Sequence, residues 1–268
     1  MEKTVNVIKG VVIGIATLVP GVSGGTMAII LGVYDQMIHA ISSFFKDIKE
    51  NTIFLATLGI GALVGILAFS RIIEYSLENF RFPMIYLFLG VILGGIPVLY
   101  KKTLVGQKDK KDWFCFVIGF IIIMLMNIYH GTFVNLAVTT GFLNFLFLII
   151  AGIIIAVALI LPGISTSFML LAIGLYDITL SAINNVELNF LIPIIIGIVV
   201  GVITTTRILE NLLNNKPRPT YMLILGFVLG SIIEVFPGIP VEIDIISSLL
   251  TFILGFVTIR FISNKYSE

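Results

Sequence analysis

Two short turns carry the side chains best suited to chemistry in this chain. One reads Pro20-Gly21-Val22-Ser23-Gly24-Gly25-Thr26, the other Pro162-Gly163-Ile164-Ser165-Thr166-Ser167-Phe168. Ser23, Gly24, Gly25 and Thr26, and in the second copy Ser165, Thr166 and Ser167, directly follow a helix-breaking Pro-Gly pair. A helix begun at such a turn exposes unpaired N–H groups and a partial positive charge. Glycine leaves room for an anion and hydroxyls add donors, the composition of a phosphate or carboxylate site. The competing reading is a tight helix contact or a self-capped turn, because small residues also pack closely in membranes.

Arg71 and Arg207 are the next candidates. Each ends a charge-free apolar run, and each is followed three residues later by a glutamate, Glu74 or Glu210. Arginine grips phosphate oxygens in a planar fork, and a charge inside a bilayer is costly unless used. The plainer role is an interfacial anchor paired with its own glutamate. Asp35 and Asp177 lie about nine residues beyond the turns, on what reads as the second helix of each hairpin. A carboxylate there could carry a proton, or it could be a hydrogen-bonded structural acid. His39 and His130 have no sequence partner and read as interfacial. There is no metal-ligand spacing, no catalytic pair and no cofactor motif, and the single Cys115 rules out an internal disulfide.

The elements that position these residues are membrane helices. Of 268 residues 58% are hydrophobic and 12% charged, with mean hydropathy +1.14, which excludes an ordinary soluble domain. Apolar runs near the length of a span recur throughout and do not alternate, so the fold class is all-α and polytopic, not a β-barrel. A net charge of +1 gives no basis for binding nucleic acid. The basic, then apolar, opening resembles a signal peptide, but the same segment recurs in mid-chain, so it reads as part of the fold.

The chain is duplicated. Residues 11–41 and 153–183 align with eleven of 31 positions identical, including Gly32/Gly174, Tyr34/Tyr176 and Asp35/Asp177. The match continues at a second offset from Gly61/Gly197 to Gly94/Gly230. The first repeat is 1–130, with a broken segment at 8–42 and helices at 52–79, 83–100 and 112–129. The second is 131–268, with a broken segment at 143–184 and helices at 188–212, 219–236 and 244–263. A broken segment is too long for one span and short for two, so it reads as a re-entrant hairpin. With six full spans and both termini cytoplasmic, fourteen of the sixteen Lys and Arg fall inside and only Arg71 and Arg81 outside. Three spans per half relate the halves by inversion, and the hairpins enter from opposite sides.

These residues resemble a known family. Pro20 to Thr26 with Gly32, Tyr34 and Asp35, and the altered copy at Pro162, resemble the bacterial polyprenyl-phosphate transporter family, PopT type, formerly a domain of unknown function. The resemblance implies a flippase in the cytoplasmic membrane that returns undecaprenyl phosphate from the outer to the inner leaflet for cell-wall synthesis. Its implied partners are the bilayer and the lipid phosphate, and a homo-oligomer is compatible with the sequence. Two other readings use the same residues. An undecaprenyl-pyrophosphate phosphatase is similar in its Pro-Gly-x-Ser turn, but its arginine after the serine is replaced by Gly24 and Thr166. Its paired glutamates match Glu74 and Glu78, whereas the second copy has Glu210 and Asn214. A small-anion carrier would use the turns without needing a groove for a tail.

Overall fold

The computed structural model describes residues 2–19, 21–106, 108–128, 141–241 and 243–266, so Pro20 and His130 lie outside the described residues. All regular structure among them is helical. The first half contains α1 (Glu2–Thr17), α2 (Gly24–Ile30), α3 (Tyr34–Ser42), α4 (Ile48–Asn79), α5 (Arg81–Thr103) and α6 (Asp112–Ile128). The second contains α7 (Phe142–Ile160), α8 (Thr166–Ala172), α9 (Tyr176–Asn184), α10 (Leu188–Asn215), α11 (Pro217–Val235) and α12 (Ile243–Tyr266). Each half thus repeats the same six elements.

The return arm of each hairpin differs from expectation. Instead of one helix it is two short ones, α2–α3 and α8–α9, the second pair bent by 116°. The bends fall at Gly32 and Gly174, whose φ values of +69° and +76° are open to glycine at little cost. Asp35 and Asp177 therefore sit in the first turns of α3 and α9, past the bend.

Among the described residues six helices have the length and hydropathy of a span, namely α4, α5, α7, α10, α11 and α12. The number matches expectation but the membership does not. The first hairpin arm α7 qualifies, while the apolar part of α6 is shorter. Length alone cannot separate an arm from a span, and packing direction can. Val7 meets Gly61 and Val11 meets Gly65, so α1 and α4 run the same way and the chain between them must return to its starting side. Ile149 with Gly197 and Ile153 with Gly201 repeat this for α7 and α10.

The remaining pairs exchange between halves. α5 lies along α12 through Gly90 against Phe252 and Gly94 against Phe256, and α6 lies along α11 through Gly226 against Phe116 and Gly230 against Ile123. A β-carbon on Gly90 would sit 2.1 Å from the Phe252 carbonyl oxygen, so these helices touch backbone to backbone. The equivalent helices α5 and α11 are antiparallel. The Tyr86 hydroxyl near the start of α5 donates to Gly238 O beyond the end of α11 (3.2 Å), and Arg218 at the start of α11 donates to Thr103 O at the end of α5 (2.9 Å). Equivalent helices running oppositely are the signature of inverted repeats.

The symmetry is incomplete. α2 is enclosed, with Gly25 to Ile30 all buried, and α3 packs on α10. Among the described residues α8 buries only Phe168, and α9 does not pack comparably on α4. Tyr34 on α3 is 1% exposed while its counterpart Tyr176 on α9 is 36% exposed. One end of the bundle is shut by its hairpin and the other is not.

Candidate functional site

The two hairpin tips meet inside the protein. The Thr26 hydroxyl accepts a hydrogen bond from the Gly163 amide at 2.9 Å, and both groups are buried. Gly25 faces Pro162 so closely that a β-carbon there would lie 3.3 Å from the proline Cα. Tyr34 donates its hydroxyl proton to the Ile160 carbonyl at 2.9 Å. That carbonyl ends α7 just before Pro162, where the chain turns extended and its normal helical donor is lost. A side chain of the first hairpin thus satisfies an orphan acceptor of the second.

The tip serines are not equivalent. Both are buried N-cap residues in extended conformation, Ser23 for α2 and Ser165 for α8. Ser165 accepts from the Phe168 amide at 3.4 Å and so caps its own helix. Ser23 makes no capping bond. Thr166 is half-buried and Ser167 exposed, whereas Gly24 is half-buried against Thr17 and Ile13. With only seven residues in α2 and in α8, the dipole at either tip is that of two turns, less than a long return helix would supply.

The arginines stand apart from the tips. Arg71 and Arg207 are both exposed on the outer faces of α4 and α10, and Glu74 is exposed beside Arg71. Among the described residues neither arginine forms an ion pair with the glutamate three residues on. Asp177 is likewise exposed on α9.

The other two acids join a polar cluster at the lysine-rich end of the bundle. Asp35 accepts from Lys102 of α5 and from Tyr221 of α11, and Lys102 also reaches the Tyr221 hydroxyl at 3.1 Å. Glu210 accepts from Ser42 and pairs with His39, both on α3. Asp35, His39, Lys102, Glu210 and Tyr221 border a cavity of about 370 Å³. Beside it, Arg218 bonds to Asp112 in a nearly buried pair and ties the α10–α11 turn to the α5–α6 connection. Lys102, Tyr221, Ser42, Asp112 and Arg218 were not among the sequence candidates. Duplication does not mark them, because the Lys102 and Tyr221 positions correspond to Gly238 and Ile85 in the opposite copy. The available signal was a lysine at the end of an otherwise apolar helix.

Residues 13–249 match the model of the VCA0040-like family, described as undecaprenyl phosphate translocase-like. The chain belongs to this family. A polyprenyl-phosphate transporter of Staphylococcus aureus (strain NCTC 8325 / PS 47) is 35% identical over 270 residues, covering 95% of this chain and 94% of its own. A polyprenyl-phosphate transporter of Vibrio cholerae serotype O1 (strain ATCC 39315 / El Tor Inaba N16961) is 29% identical over 248 residues, covering 86% and 76%. No solved structure is significantly similar. Both tips, both arginines and the polar end cluster fall within the segment that defines the family. The arrangement is that of a multi-pass membrane protein with a buried, hydroxyl-bearing junction of two hairpin tips and a cluster of charged groups at one end. Among the described residues no hydrogen bond links either tip serine to a base that could activate it.

Proposed function

We propose that this protein is a membrane transporter that carries a polyprenyl phosphate of the undecaprenyl class from the outer to the inner leaflet. The observation that carries the reading is the meeting of two hairpin tips of opposite origin, with a buried serine unengaged in capping at one of them. A phosphate seated there receives amide and hydroxyl donors from Ser23, Gly24, Gly25 and Thr26, with Ser165, Thr166 and Ser167 as the altered partner. The relatives' names point to the same lipid class.

The lysine-rich end is cytoplasmic in this reading, with both termini inside, as the positive-inside rule favours. The cluster of Asp35 and Glu210 with α5, α10 and α11 then closes the cytoplasmic side. The looser α8–α9 arm, which carries Asp177, faces the outer side in this reading, the side to which Arg71 is assigned. Alternating access follows from the inverted halves: α9 closes on α4 as α3 leaves α10, and each arginine joins the headgroup when its own hairpin moves in.

Protein reconstituted in liposomes should accelerate leaflet exchange of a fluorescent polyprenyl phosphate over empty vesicles. Folded protein that gives no acceleration overturns the proposal. Release of inorganic phosphate from undecaprenyl pyrophosphate would instead identify the phosphatase.

A further inference from the structure

A second, apolar crevice of about 430 Å³ lies between α6, α7, α10 and α11. That volume is within the about 300–1,000 Å³ typical of ligand sites. Its floor is buried, formed by Leu209, Thr220 and Ile224, while Ile208 and Lys216 are exposed at its rim. It therefore opens on the outer surface of the bundle, where the lipid chains run.

Two further observations identify an occupant. Leu161 lines the crevice, and the next residue is Pro162 of the second tip, so the crevice runs up to the junction of the hairpins. Lys216, the one cation on its wall, makes no ion pair among the described residues. The residues that line the crevice are not repeated in the opposite copy. At the positions equivalent to Thr205, Lys216, Thr220 and Ile224 the first half carries Phe69, Phe80, Met84 and Phe88. Each of the four is an apolar side chain, and Lys216 with its charge has no counterpart there.

We infer that this crevice holds the isoprenoid tail next to the phosphate of the transported lipid, with Lys216 attracting the headgroup as it enters or leaves. The inference rests on the function proposed above and adds to it the site and the side of tail binding. One face of the bundle takes the lipid, not two symmetric ones. The occupant is a single long apolar chain bearing one phosphate, which suits an apolar slot with one cation at its rim.

Cys115, the sole cysteine, lines the crevice and reports on it in the unaltered protein. Purified protein is labelled with a membrane-permeant maleimide, with and without undecaprenyl phosphate. At ten times the dissociation constant the free fraction, and with it the labelling rate, falls about tenfold. Inorganic phosphate and dioleoyl phosphatidic acid leave the rate unchanged. Lys216→Gln raises the lipid concentration for half-protection about tenfold, the equivalent of one lost charge-assisted hydrogen bond. The paired change Thr205→Phe and Ile224→Phe, which imports the bulkier residues of the opposite copy, abolishes protection. Equal protection by phosphatidic acid overturns the inference, because the crevice is then a generic lipid contact. Absence of protection in protein that exchanges the lipid overturns it too, and leaves the transport reading intact. Absence of both protection and exchange overturns the two together.

Discussion

Ser23 and Ser165 occupy equivalent turns, yet one spends its hydroxyl on its own helix and the other does not. This separates stability from transport at the scale of single atoms. Ser165→Ala should lose a cap worth about 0.5–2 kcal/mol and lower the midpoint of thermal unfolding in detergent. Ser23→Ala should leave that midpoint unchanged and slow leaflet exchange about tenfold, if its hydroxyl is one of the phosphate donors. The opposite pattern would make Ser23 structural. Tyr34→Phe offers a second test. It strands the buried Ile160 carbonyl, at a cost of about 1–3 kcal/mol, whereas Tyr176→Phe removes a hydroxyl from a half-exposed site and should cost far less. The tips were legible in the sequence because Pro-Gly-x-Ser occurs twice. The Tyr34 bond was not, because nothing in the chain ties residue 34 to residue 160.

At the scale of elements, glycine decides which helices lie together. A β-carbon on Gly197 would lie 2.1 Å from the Ile149 carbonyl oxygen, and backbone cannot step aside as a side chain can. Gly197→Ala should therefore destabilise by about 1–3 kcal/mol or more. Gly59 has nothing within 4 Å of that point, so Gly59→Ala should be neutral in the same unfolding measurement. A similar loss at both would mean that close backbone contact does not control the outcome, because helix propensity favours alanine at each site. The repeat showed that Gly61/Gly197 and Gly90/Gly226 matter, but not with whom they pair. Hydropathy likewise marks α7 as apolar without separating the first arm of a hairpin from a full span, because both kinds of helix present the same chain chemistry to lipid. The break of each return arm is hidden from hydropathy for a related reason. The repeat marks Gly32 and Gly174 only as matched positions, while their positive φ values turn α2 into α3 and α8 into α9.

For the whole molecule, the unequal ends predict a partner conformation. His39 and Glu210 touch at the closed end, and their equivalents by position are Ser181 and Glu74. In a Cys115→Ser background, His39→Cys with Glu210→Cys should be joined by a short bifunctional maleimide and stop exchange. Ser181→Cys with Glu74→Cys should be joined only in protein that is free to turn over, and should also stop it. If the second pair never reacts in active protein, the halves do not alternate. The charge pattern foretold the inverted halves, and the antiparallel α5 and α11 agree with it. It gave no sign of which end is shut, since that depends on Lys102 and Tyr221, residues found in one copy alone.

The exchange of helices between halves also bears on how the protein is made. α5 leaves the ribosome with a bare glycine seam at Gly90 and Gly94, and the helix that fits it, α12, is the last of the described helices to follow. The first half therefore waits in the bilayer unfinished, its seam available to lipid, to insertion factors or to proteases. A chain stopped after α11 should be degraded even though most of its helices are present. Supplying α12 as a separate peptide should rescue it, which makes late docking of this helix a checkpoint in biogenesis.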